Sequence, residues 1–123
     1  MTAVSPPLVL IVDDDIGDLD AMQAFLESSG YRIARALDGR EALRLIHALH
    51  PAAVVLDLML PVLSGGRVLA TLRSEHSEVP VILVSGVVAA PAIWAQHDFL
   101  PKPCEPTALR AAVERAVARS AHA

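Results

Sequence analysis

An acidic triplet (Asp13-Asp14-Asp15), a separate Asp57, a Ser85-Gly86 pair and Lys102 are the residues of this sequence best suited to chemistry. Carboxylates crowded together repel one another and are costly to desolvate, so such a cluster calls for a cation. Magnesium fits two or three Asp residues on adjacent loops, because it keeps several waters and takes one or two carboxylates together with phosphate oxygens. Lys102 is the only lysine, and every other basic side chain apart from histidine is Arg. An ammonium is a compact point charge that pairs with one carboxylate or phosphoryl oxygen inside a narrow cleft, where the planar fork of Arg is less suited. Ser85 offers a hydroxyl that turns toward whichever oxygen is present, and Gly86 leaves room for an incoming group.

These residues can meet only if the chain brings them to one edge. Five short apolar runs, 8–12, 31–36, 53–56, 81–84 and 98–100, alternate with longer segments of mixed polarity. The first, third and fourth are apolar at every position, as strands buried on both faces are. Between and after them Leu19, Met22, Phe25 and Leu26, then Leu43, Ile46 and Leu49, then Val68, Leu69 and Leu72, then Leu109, Ala112, Val113, Ala116 and Val117 recur at helical spacing. Asp38 with Glu41 predicts a capped start for the second helix, Gly30 a C-terminal cap for the first, and Pro106 the first turn of the last. The pattern predicts a single α/β domain built on a doubly wound parallel sheet with right-handed crossovers. Ligands of such sheets sit at the carboxyl ends of the strands, where Asp13, Asp57, Ser85 and Lys102 all fall.

Composition narrows the function. In 123 residues, 54% are hydrophobic and the formal net charge is −4, which provides for one core and argues against direct nucleic-acid binding. Cys104 is the only cysteine, so no internal disulfide and no Cys-based zinc site can form. No apolar run reaches membrane-spanning length, and the first residues lack the pattern of a secretion signal. A cytoplasmic location without membrane contact is expected.

In chain order stand Val12-Asp13-Asp14-Asp15, Leu56-Asp57-Leu58-Met59-Leu60-Pro61 with Gly65 after it, Val84-Ser85-Gly86, and Phe99-Leu100-Pro101-Lys102-Pro103. With these four motifs, which span nearly the whole chain, the sequence resembles the receiver domains of two-component response regulators. The resemblance implies a flavodoxin-like, five-stranded parallel sheet of order 2-1-3-4-5 and a protein that is a signalling switch, not an enzyme. It implies that Asp57 is the phosphoacceptor and that Asp14, Asp57 and the Met59 carbonyl hold magnesium, with manganese able to substitute and Asp13 acting through water. Ser85 would bind a phosphoryl oxygen, Lys102 would pair with Asp57 and then with its phosphate, Ser85 and Phe99 would form the switch, and Lys102-Pro103 would be a cis bond. The implied partners are a histidine kinase or histidine phosphotransfer protein and an output protein or fused effector domain.

Plainer roles stand beside these. Asp15 reads best as a helix cap, Cys104 as a small hydrophobe where the family has a bulkier aromatic, and the five His residues show no shared ligand spacing. Rival readings are a phosphorylation-independent interaction module and a small phosphotransferase of the haloacid dehalogenase type with Asp13 as nucleophile. The domain is expected to fill residues 1–123, with flexible ends at 1–6 and 119–123. The segment from Gly86 to His97 is short for a parallel crossover, which predicts a fourth helix of at most two turns, starting near Pro91 and carrying Trp94, or no regular helix at all. Partners would then dock on the first helix beside Ile16 and Leu19.

Overall fold

A computed structural model of the chain describes residues 5–86 and 97–121. Strands β1 (Leu8–Val12), β2 (Arg32–Ala36), β3 (Ala53–Asp57), β4 (Val81–Ser85) and β5 (Asp98–Pro101) form one parallel sheet in the order β2-β1-β3-β4-β5. Helices α1 (Ile16–Ser28), α2 (Gly39–Leu49), α3 (Gly65–Ser74) and α4 (Pro106–Ala121) cover it on both faces. The doubly wound sheet and its strand order are those expected. The short helix expected near Pro91 and Trp94 lies outside the described residues. Residues 119–121 belong to the last turn of α4, where the guanidinium of Arg119 comes 3.9 Å from Asp98 on β5.

Strand periodicity divides the core into two layers. Leu10, Val12, Val54, Leu56 and Leu83 face Ala42 and Ile46 of α2 and Val68, Leu69 and Leu72 of α3. Val9, Ile11, Val55, Ile82 and Val84 face Leu19 and Leu26 of α1 and Leu109, Ala112, Val113 and Ala116 of α4. Each fully buried Val or Leu contributes about 1.5–3 kcal/mol, so β1, β3 and β4, apolar on both sides, form the fixed centre of the fold. Leu19 is fully buried in the second layer, which corrects its place on an exposed docking face; Ile16, at 51% exposure, stays accessible. The helical spacing of Leu19, Met22 and Leu26 marks the inward stripe of α1.

Local chemistry sets the helix starts. Asp15, Asp38 and Ser64 cap α1, α2 and α3 by accepting from the N–H groups of Asp18 (2.9 Å), Glu41 (2.8 Å) and Arg67 (3.2 Å). Glu105 does the same for α4, accepting from Thr107 N–H (3.2 Å) and Ala108 N–H (3.0 Å), with Pro106 as the first helical residue. Gly30 follows the end of α1 with φ of +100°, a conformation that glycine adopts cheaply.

Gly65 begins α3 hard against the end of β3. A Cβ at this position would lie 2.4 Å from the Asp57 carbonyl oxygen and 2.7 Å from Leu58 Cα. Both are backbone atoms and cannot swing aside. Gly65→Ala should therefore destabilise the domain by about 1–3 kcal/mol, the usual cost of overpacking, read as a lower urea midpoint. An unchanged midpoint would show that the loop after Asp57 can move without penalty.

Candidate functional site

Register brings the carboxyl ends of β1, β3, β4 and β5 into line. Val12 pairs with Leu56, Asp57 with Val84, and Ser85 with Pro101, so Asp13, Asp57, Ser85 and Lys102 share one edge of the sheet. Asp13, Asp57 and Ser85 are buried, while Asp14 is exposed. One carboxylate oxygen from each of Asp13, Asp14 and Asp57 lies within 4.8 Å of the others. This all-oxygen donor set suits a hard cation such as magnesium, and two of its members are held by neighbouring backbone. Asp13 Oδ1 accepts from Asp15 N–H and Asp57 Oδ1 from Met59 N–H, each at 2.9 Å.

Lys102 reaches into this cluster from the loop after β5. Its Nζ donates to Asp13 Oδ2 at 2.7 Å, Asp57 Oδ2 at 2.8 Å and Asp18 Oδ2 at 3.2 Å. Its backbone N–H donates to the Ser85 carbonyl at 2.9 Å, and the Lys102-Pro103 peptide bond is cis. Burial alone would lower the pKa of Lys102, but hydrogen bonds and charge from Asp13 and Asp57 outweigh it and hold the ammonium well above the ordinary lysine value. For Asp57, burial comes first and raises the pKa. Lys102 and the Met59 N–H pull it down, Asp13 adds repulsion, and the balance leaves it above the ordinary 3.8.

Ser85 ends β4 on the same face as Leu83, two residues before it. Phe99, paired with Leu83 on β5, packs half-buried against that same α2/α3 layer. Cys104 packs against the other layer as a small hydrophobe, and burial raises its thiol pKa. It borders a cleft of about 410 Å³ that runs from Asp13, Asp18 and Lys102 past Ala21 and Met22. A larger cleft of about 570 Å³ opens at the opposite edge, between Pro51 and Pro80, remote from the carboxylates.

The sequence model of the response regulator receiver domain matches residues 9–114. The chain belongs to this family. The receiver domain is 44% identical over 84 residues to the transcriptional regulatory protein PrrA of Mycobacterium leprae, covering 68% of this chain and 36% of PrrA. Over 104 residues it is 41% identical to the response regulator MprA of Mycolicibacterium vanbaalenii, covering 80% and 45%. In three dimensions it matches the receiver domain of the Francisella response regulator 1452 with a TM-score of 0.86 at 30% identity, over 93% of this chain and 98% of that one. The receiver domain thus spans less than half the length of these curated relatives.

Each candidate residue of the acidic pocket falls at this edge of the sheet, and the structure adds one that sequence reasoning missed. Asp18 touches Lys102, although an acid in the first turn of a helix reads from sequence as a complement to the helix dipole. His47, read as incidental, pairs with Glu75 at 2.9 Å and joins α2 to α3. Among the described residues Val62, in the loop after Asp57, is a β-branched side chain at φ of 68°, a costly left-handed conformation beside the site.

The raised pKa of Asp57 has a consequence for stability. With its folded value above its unfolded one, ionisation costs nothing below the ordinary 3.8, where both states are protonated, and costs its full amount above the raised folded value. In metal-free protein, Asp57→Asn should accordingly raise stability at neutral pH by roughly 1 kcal/mol. The gain should vanish as pH falls below the carboxylate range, as followed by thermal unfolding across pH. A variant less stable than wild type at neutral pH would contradict this account.

Proposed function

We propose that Asp57 accepts a phosphoryl group from a histidine kinase or histidine phosphotransfer protein and that its phosphorylation switches partner binding. The observation that carries this reading is a buried carboxylate at the end of a central strand, 2.8 Å from the only lysine and within reach of two further Asp side chains. In the transfer an Asp57 oxygen forms a bond to phosphorus as the bond between phosphorus and the donor's imidazole nitrogen breaks. Such transfers depend on positioning and charge neutralisation more than on covalent help. Asp14, Asp57 and the Met59 carbonyl would hold magnesium or manganese, with Asp13 contributing through water. The bound metal supplies positive charge against the oxygens of the transferring group.

Lys102 holds Asp57 before transfer and would pass its ammonium to a phosphoryl oxygen afterwards. Ser85, one residue beyond the position paired with Asp57, would turn its hydroxyl to another of those oxygens. Ser85 and Phe99 lie on one face of the sheet, so a shift of the first changes the space open to the second. That coupling would bias an equilibrium between two surface states. The output is a separate protein or a fused effector segment, in keeping with relatives of which the matched stretch covers less than half and which are named as transcriptional or response regulators. On this reading the domain is a phosphorylated switch in the cytoplasm rather than an enzyme with turnover. No helix among the described residues is long and apolar enough to cross a membrane.

Mass spectrometry after incubation with magnesium and acetyl phosphate should find one phosphoryl group, on Asp57. Asp57→Asn keeps the shape, removes the anionic nucleophile and should abolish the label; labelling on Asp13 would instead favour a phosphotransferase of another design. Asp14→Ala should weaken magnesium binding about tenfold or more through loss of a carboxylate ligand, as measured by magnesium titration. An unchanged titration would put the metal elsewhere.

A further inference from the structure

The first turn of α1 carries a carboxylate that the helix itself does not use. Asp18 stands three residues after the N-cap Asp15, where an acidic side chain ordinarily reaches back to the N-cap N–H to complete a capping box. That N–H is already taken, because Asp15 donates it to Asp13 Oδ1 at 2.9 Å. The Asp18 carboxylate is directed at Lys102 instead, with Oδ2 3.2 Å from Nζ. An ammonium has three protons, and three carboxylates stand within hydrogen-bond distance of this one. The Asp13 and Asp57 side chains are almost sealed from water, at 1% and 5% exposure, whereas Asp18 is 51% exposed. Asp18 is the solvent-side member of the set, on the rim of the cleft that leads inward past Lys102.

We propose that Asp18 is a positioning residue which holds the Lys102 ammonium from the solvent side and so slows its transfer to a phosphoryl oxygen arriving at Asp57. The kinetic part of this inference rests on the reading of Asp57 as phosphoacceptor. An ammonium bound by three anions must release one before it can accept another oxygen. The Asp18 charge also stands at the mouth of the cleft, where it repels an anionic phosphodonor. A capping role would instead leave Lys102 and the rate of phosphoryl uptake untouched.

The variant Asp18→Asn keeps the size of the side chain and removes its charge. Because Lys102 is the only lysine, protein labelled with ¹⁵N-lysine gives a single side-chain ammonium signal by NMR. In metal-free protein without any phosphodonor, exchange of its protons with water should be about twofold or more faster in the variant, since a charge-assisted bond has been weakened. Labelling of Asp57 by acetyl phosphate at low salt should also be about twofold or more faster, and the difference should shrink in about 1 M salt as the charge is screened. Unchanged ammonium exchange, or uptake no faster than wild type at low salt, overturns the proposal. Wild-type protein that takes no phosphoryl group at Asp57 overturns the phosphoacceptor reading and the kinetic part with it, while ammonium exchange still decides whether Asp18 holds the lysine.

Discussion

One ammonium fastens the functional edge of this domain. Lys102, late in the chain, bonds Asp13 at the end of β1 and Asp57 at the end of β3, while its backbone N–H is bound to the end of β4. Four strand termini therefore meet at a single residue. Buried ion pairs contribute little net stability against apolar replacements, but removing the ammonium would cost about 3–5 kcal/mol because the buried Asp13 and Asp57 carboxylates would lose their counter-charge. Burial, with a smaller share from Asp13 repulsion, outweighs the ammonium and raises the pKa of Asp57. A group whose ionisation the fold opposes, yet which an ammonium neighbour favours, has the signature of a residue placed for chemistry at the expense of stability.

The two apolar layers make that arrangement affordable. Because β1, β3 and β4 are packed on both faces, their ends are fixed and the loops beyond them can carry costly features. Those features include crowded carboxylates, a left-handed Val62, and a glycine at position 65 where any side chain would strike backbone. The outer strand β5 is only half-buried at Phe99, and Phe99 sits on the same face as Ser85. A partly exposed edge strand thus adjoins the group that would sense a phosphoryl oxygen. On the proposed function, such placement would let a local electrostatic event move a surface without disturbing the core.

The sequence by itself determined the sheet, the site edge and most of the cluster. Continuous apolar runs only four or five residues long fit strands buried on both faces, and alternation with helical spacing leaves a parallel doubly wound sheet as the simplest solution. The residues just after the runs must then emerge at one edge, which is why Asp13, Asp57, Ser85 and Lys102 group together in the sequence itself. Caps at Asp15 and Asp38 were equally legible, since they depend on neighbours within a few residues. Tertiary structure alone decided what depends on side-chain direction. Asp18 reads locally as a complement to the helix dipole, and its contact with Lys102, 84 residues away, exists only because the end of β1 and the loop after β5 meet at one edge. Helical and strand periodicities are properties of neighbours in the chain, whereas the partner of a charge is set by whichever distant residue the fold delivers to it.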